Sequence, residues 1–224
     1  MSEVSDVVQL WTVGHSNHTV ERFLELLGEF DIEVVVDVRS EPYSSYSKHF
    51  CQETLRRSLT AAGLSYLFMG RELGGRPPEP EFYDEEGHVL YGELAATERF
   101  GGGLRRLIDG AERYRVAVMC SEENPMLCHR RQLIARALRE ESQRVAIAHI
   151  RGTGEVVDDV QLDRDADGTG QLGLTEEQTP WRSPTPARGD QKSRAGDPVS
   201  RRRLGRAEDQ SVQPELFGKV ATWD

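Results

Sequence analysis

Five short apolar runs constrain this chain more than anything else in it. They are VQLWTV (residues 8–13), EVVVDV (33–38), SYLFM (65–69), RVAVM (115–119) and RVAIAHI (144–150). Most are dense in β-branched residues and apolar on both faces, the pattern of strands buried inside a parallel sheet. Between them apolar residues return with helical spacing. Val20, Phe23, Leu24 and Leu27 fall at i, i+3, i+4, i+7; Leu55, Leu59 and Ala62 line a second helix that Gly63 closes as a C-cap. Leu104, Leu107 and Ile108 mark a third helix, and Leu127, Ile134, Ala137 and Leu138 a fourth. Strand alternating with helix predicts a single three-layer α/β domain with a mostly parallel sheet of about five strands and right-handed crossovers. The Gly- and Pro-rich connection over residues 70–91 exceeds the usual loop of such folds and is expected to be a lid or binding loop.

The pattern stops near Arg151. Of 224 residues only 37% are hydrophobic, and the mean hydropathy is −0.58; a compact core with a polar appendage fits that balance. Residues 151–224 hold 11 Lys and Arg against 14 Asp and Glu, so they are nearly charge-balanced, and they have too few large apolar side chains to offset the entropy of ordering. The expectation is an α/β domain over residues 1–152 and a largely disordered polar tail over 153–224, with about 155–210 loosely attached. No apolar run approaches the roughly 18 residues of a membrane span, and the start MSEVSDVVQLW lacks the basic, then apolar, layout of a secretory signal. Three cysteines, an odd number, argue for reduced thiols in a cytoplasm rather than a disulfide framework. A formal charge of −10 leaves no global drive towards a polyanion, so any nucleic-acid contact would be local.

In open parallel sheets ligands sit beyond the carboxyl ends of the strands, where strand order reverses. Polar and reactive residues follow four strand candidates in turn: Gly14, His15 and Ser16; Asp37 and Arg39; Gly70, Glu72, Gly74 and Gly75; Cys120 and Glu122. After Cys120, Asn124 is a good N-cap and Pro125 suits the first helical position, so free amides of that turn are expected to face the strand end and favour an anion or thiolate. Cys120 is then either an activated thiol or a small buried residue ending a strand. Arg130 falls on the same helical stripe as Leu127 and Ile134, so its guanidinium must reach an anion: Glu122 or Asp37 as a structural pair, or a ligand carboxylate or phosphate. The same wheel puts Cys128 on the flank and turns His129 from the core, which makes them poor joint metal ligands. No metal and no cofactor are expected. Asp163, Asp165 and Asp167 imitate the start of a calcium loop, but Leu174 stands where a bidentate Glu belongs, so the segment reads as solvated.

Taken together, Gly14-His15-Ser16, Asp37-Val38-Arg39 with Pro42, Glu72-Leu73-Gly74-Gly75, Cys120 with Glu122, and Cys128-His129-Arg130 are similar to the bacterial and archaeal domain-of-unknown-function family 488. The resemblance covers about residues 10–150 and implies an α/β domain with a shared polar site; it implies no reaction. Asp37-Val38-Arg39 also resembles the strand end of rhodanese domains, but Arg130 follows Cys120 after nine residues rather than five, without the glycines that let amides ring an anion. In the tail, Gln213-Pro214-Glu215-Leu216-Phe217 is similar to the pentapeptide by which bacterial replication and repair proteins hold the sliding clamp.

The expected function is an enzyme acting on a nucleotide-like or nucleic-acid-derived substrate, in a DNA repair or modification setting. Cys120, Asp37, His15 and Glu122 would carry the chemistry. Arg39, Arg130, Ser16, Gly14, Gly74 and Gly75 would hold a small anionic ligand. The competing expectation is a non-catalytic adaptor, binding a metabolite or nucleic-acid end and recruiting a partner through Gln213, Leu216 and Phe217. Both require His15, Asp37, Arg39, Cys120 and Arg130 to be neighbours.

Overall fold

The computed structural model describes residues 7–168 and 181–187, with side chains up to residue 164 in the first segment. Six strands form one sheet: β1 (Val8–Gly14), β2 (Val34–Asp37), β3 (Ser65–Phe68), β4 (Val116–Cys120), β5 (Val145–Ile150) and β6 (Val156–Asp158). Their order is β3-β2-β4-β1-β5-β6. All pairings are parallel except β5 with β6.

Helices α1 (Val20–Gly28) and α2 (Gln52–Ala61) lie against one face, burying Phe23, Leu26, Leu27, Leu55 and Leu59 with Val13, Val35 and Met119. On the other face are α3 (Gly70–Leu73), α4 (Tyr91–Ala95), α5 (Glu98–Ala111) and α6 (Arg136–Glu141), over Leu10, Val34, Val36 and Val118. Local signals set the boundaries. Thr19 and Thr97 cap α1 and α5 by accepting from the third amide of each helix, as N-cap hydroxyls do. Past α2, Gly63 takes φ +82°, the left-handed geometry a helix end favours in glycine.

Two expectations need correction. The 70–91 connection is a packed layer, not a lid: Leu73, Val89 and Tyr91 are buried in the core, and Gly103 lets Glu72 and Leu73 of α3 press onto α5. Its apolar residues are too sparse to show a period, yet Leu73, Val89 and Tyr91 are buried, with Phe82 and Tyr83 packed half-buried against the same core. The stretch from residue 155 is not loosely attached where it is described. β6 extends the sheet, and α7 (Asp159–Gly168) follows it, anchored by the buried Asp159. Further on, the Trp181 indole donates to the Gln132 carbonyl at 2.7 Å under the Arg136 guanidinium, and Arg182 pairs with Asp84 and Glu86. One buried carboxylate and one indole anchor these two described pieces. The peptide with Gln213, Leu216 and Phe217 lies outside the described residues.

Candidate active site

The crossovers from β1 and β4 leave the sheet in opposite directions, through α1 towards β2 and through α6 towards β5, although β1 and β4 are neighbours. The reversal of strand order therefore falls between Gly14 and Cys120, where a parallel sheet opens its crevice. The two ends are laced together: His15 N donates to the Cys120 carbonyl and Ser16 N to the Ser121 carbonyl, each at 2.9 Å. Ser16, at φ 47°, turns the chain away.

On the β2 side lies an ion-paired group. Asp37, fully buried, accepts from Arg39 Nε (2.9 Å), Arg39 Nη2 (2.6 Å) and the Tyr66 hydroxyl (2.7 Å). Arg39 Nη1 meets His15 Nε2 at 3.2 Å, and His15 Nδ1 meets the Ser16 carbonyl at 2.9 Å. A guanidinium only donates and a carbonyl only accepts, which assigns the imidazole proton to Nδ1 and leaves Nε2 as the acceptor. Burial, then the Arg39 charge, lowers the His15 pKa to about 4, so the ring is neutral at pH 7; it stacks on Phe50 with centroids 4.2 Å apart. Burial beside Asp37 pushes the Tyr66 phenol up.

On the β4 side Arg130 is fully buried. Its Nη1 donates to Cys120 Sγ at 3.0 Å and, in a close contact, to the Glu122 carbonyl; Nη2 donates to the Glu123 carbonyl at 2.6 Å. Its Nε has no hydrogen-bond partner among the described residues. The guanidinium crosses the end of β1 because position 14 is glycine: a Cβ there would sit 1.9 Å from the Glu122 oxygen and 2.8 Å from Arg130 Nη1. Burial alone would raise the Cys120 pKa, but hydrogen bonding from Cys128 and the Arg130 charge reverse the sign and bring it down.

The sequence-expected residues divide accordingly. His15, Asp37, Arg39, Cys120 and Arg130 do gather at one edge, all 5% exposed or less. Glu122 contributes its carbonyl while its residue is exposed, and it is no partner of Arg130 through its carboxylate. Gly74 and Gly75 are packing positions, with a Cβ at 75 reaching 2.5 Å from His129. The amides after Asn124 face no anion, since they are spent within the turn: Met126 N donates to the Asn124 side chain and Cys128 N to the Pro125 carbonyl.

The helical wheel fails here for a definite reason. Pro125–Leu127 is a separate 3₁₀ turn, Cys128 is extended (φ −118°, ψ 142°), and a π-helical stretch, Arg130–Ala135, leads into α6. The extended residue resets the rotation. Leu127 is exposed, and Cys128 is buried with its Sγ 2.7 Å from Cys120 Sγ. His129 turns inward, its Nε2 3.0 Å from the Val38 carbonyl. Sequence reasoning missed Tyr66, Cys128 and His129 as parts of this edge; only the Cys128-His129-Arg130 tripeptide carried a signal.

A surface cavity of about 530 Å³, lined by Val8, Trp11, Glu33 and Arg115, lies at the amino ends of the strands. Among the described residues no three His, Cys, Asp or Glu side chains stand close enough together to hold a metal ion, and no helix is long and apolar enough to cross a membrane.

A family model described as Domain of unknown function DUF488 matches residues 19–138, just over half of the chain, including Asp37, Arg39, Cys120 and Arg130 but not His15. No curated protein and no solved structure matches the chain.

Proposed function

This chain belongs to the DUF488 family, and we propose that it is a cytoplasmic enzyme acting on a nucleotide-like or nucleic-acid-derived substrate, with the Cys120 thiolate as its reacting group. The observation that carries this reading is Arg130 Nη1 at 3.0 Å from Cys120 Sγ, at the end of β4 where strand order reverses. A cation buried against a sulfur stabilises the form that attacks electrophiles. Beside it, the neutral His15 offers an imidazole for proton transfer, and Arg39, held by Asp37, offers positive charge to an anionic substrate.

The nucleotide-like class is supported by Tyr43 and Tyr46, which are 76% and 98% exposed. They stand on the loop between Arg39 and Phe50, and both of those residues touch His15. Exposed aromatic rings on the loop that leaves Arg39 suit base stacking on a nucleotide-like ligand. Substrate entry requires movement of the turn at Ser121 and Glu122, which are exposed while Cys120 beneath them is not.

The adaptor reading is favoured by the burial of His15, Asp37, Arg39, Cys120 and Arg130. The two are separated by measuring binding and turnover independently on a panel of nucleotides and single-stranded oligonucleotides. Cys120→Ser that binds but does not turn over supports the enzyme. Binding without turnover on any member of the panel replaces it with the adaptor. The sliding clamp remains a proposed partner, tested with a peptide of residues 210–220. Equal affinity after Leu216→Ala and Phe217→Ala together rejects it.

A further inference from the structure

Cys128 and His129 have no role in the function proposed above, yet they stand in a specific relation to Cys120. The two sulfurs are 2.7 Å apart, and both residues are about 1% exposed. One residue positions both: Arg130 donates to Cys120 Sγ through Nη1 at 3.0 Å and to Cys128 Sγ through its backbone N–H at 3.4 Å.

The two thiols are not equivalent. Cys120 has the guanidinium. Cys128 has a base: His129 Nε2 faces a carbonyl, which can only accept, so that nitrogen carries the ring proton and Nδ1 presents its lone pair 3.7 Å from Cys128 Sγ. Burial, then the Arg130 charge, holds His129 near pKa 4 and therefore unprotonated. The charges divide accordingly, with Cys120 lowered and Cys128 raised by burial and by its neighbouring sulfur. Two cysteines serving only as apolar filling would need neither a buried cation nor an oriented imidazole.

We propose that Cys120 and Cys128 are a hydroperoxide-reactive dithiol, with Cys120 attacking and Cys128 resolving, that closes reversibly to a disulfide. The Cys120 thiolate attacks one oxygen of hydrogen peroxide, the O–O bond breaks, and the departing hydroxide becomes water with the proton that the Cys120 thiol released on ionising. Cys120 is then a sulfenic acid. Cys128 sulfur attacks it as His129 Nδ1 takes the thiol proton; the S–S bond forms, the S–O bond breaks, and that hydroxide leaves as a second water with the proton from His129. One peroxide is reduced to two waters and two thiols are oxidised. The disulfide consumes the thiolate and strips Arg130 Nη1 of its sulfur acceptor, so the proposed nucleophile is switched off. The dithiol stands on its own geometry and does not require Cys120 to be a catalytic nucleophile.

Cys120 and Cys128 lie in one tryptic peptide, residues 116–130, with Cys51 elsewhere as an internal control. The full chain is treated with hydrogen peroxide at neutral pH, alkylated and mapped by mass spectrometry. The expected product is peptide 116–130 lighter by two hydrogens, resistant to alkylation and restored by dithiothreitol, with Cys51→Ser making no difference. In Cys128→Ser, a Cys120 sulfenic acid captured by dimedone is expected. Arg130→Gln should slow closure by about fivefold or more as the thiolate is lost. Two results overturn the proposal: both thiols of the peptide staying alkylatable while Cys51 oxidises, or Cys120 passing to sulfinic acid with Cys128 present. Because thiol mapping reads no turnover, a failed disulfide with Cys120-dependent turnover removes the switch alone, and a formed disulfide without turnover removes the enzyme alone.

Discussion

The network around His149 and the cluster around Cys120 flank β1 on opposite sides and are built from similar materials. In the first, the Thr12 hydroxyl meets His149 Nδ1 at 2.7 Å, His149 Nε2 meets Asp159 at 2.9 Å, and Asp159 also takes Arg131 and Arg139. This has the outline of a hydroxyl–imidazole–carboxylate relay, yet every group in it is matched and it lies mid-strand, with Thr12 paired to His149 in register. Its work is to tie β6 and α7 to the sheet. Titration behaviour does not separate the regions, since burial depresses His149 (to about 3) as it does His15. What separates them is position and completeness. The Cys120 cluster sits at the strand ends, holds two sulfurs, and leaves one guanidinium nitrogen unmatched.

Acid should disturb both regions and gives the largest expected effect. His15 faces Arg39, Asp37 and His49, while His149 faces Arg130, Arg131, Arg139, Arg151 and Asp159. Their folded pKa values lie below the unfolded value, so the unfolded chain binds more protons in between. The stability they contribute is complete above pH 6.5 and is lost as pH falls towards 4. At about 1.4 kcal/mol per pH unit, each loses roughly 3 kcal/mol by pH 4, and His149 continues to lose stability towards pH 3. Urea midpoints unchanged between pH 7 and pH 4 would refute this.

Asp159→Ala should separate the regions most clearly. It strips Arg131, Arg139 and His149 of a shared buried carboxylate, for a loss of about 3–5 kcal/mol, while the alkylation rate of Cys120 in the still-folded protein stays at the native value. A changed thiol rate would join the two networks into one. Gly14→Ala acts in the other direction: the added Cβ collides with the Glu122 carbonyl and Arg130, costing about 1–3 kcal/mol as overpacking does. It should also raise the pH at which Cys120 alkylates, and a native profile would deny Arg130 its role at the sulfur. Tyr66→Phe is the mildest, removing one hydrogen bond to Asp37 for about 1–2 kcal/mol by denaturant unfolding. No loss there would leave Arg39 alone as the partner that matters.

Much of the frame was legible in the residues. The five apolar runs match β1 to β5 to within a residue or so at each end, and the residues after them do collect at one edge. Arg130 was expected to turn to the core and reach Glu122, Asp37 or a ligand anion. It is buried, but its Nη atoms meet carbonyls and the Cys120 sulfur rather than a carboxylate, and its Nε has no partner among the described residues. β6 escaped notice because three residues with one partly buried position carry no period. Cys128 and His129 were misplaced because a wheel assumes continuous helix through an extended residue.

By itself, then, the sequence determined the α/β layering, the caps and the strand termini, because periodicity and capping act within a few residues and are written in consecutive positions. Only the tertiary structure decided that β4 lies beside β1, which brings His15 and Arg39 near Cys120, and that Cys128 swings its sulfur onto Cys120. Strand order depends on the competition among all possible pairings, and the sulfur contact on one backbone angle at residue 128, neither of which is encoded in any local pattern.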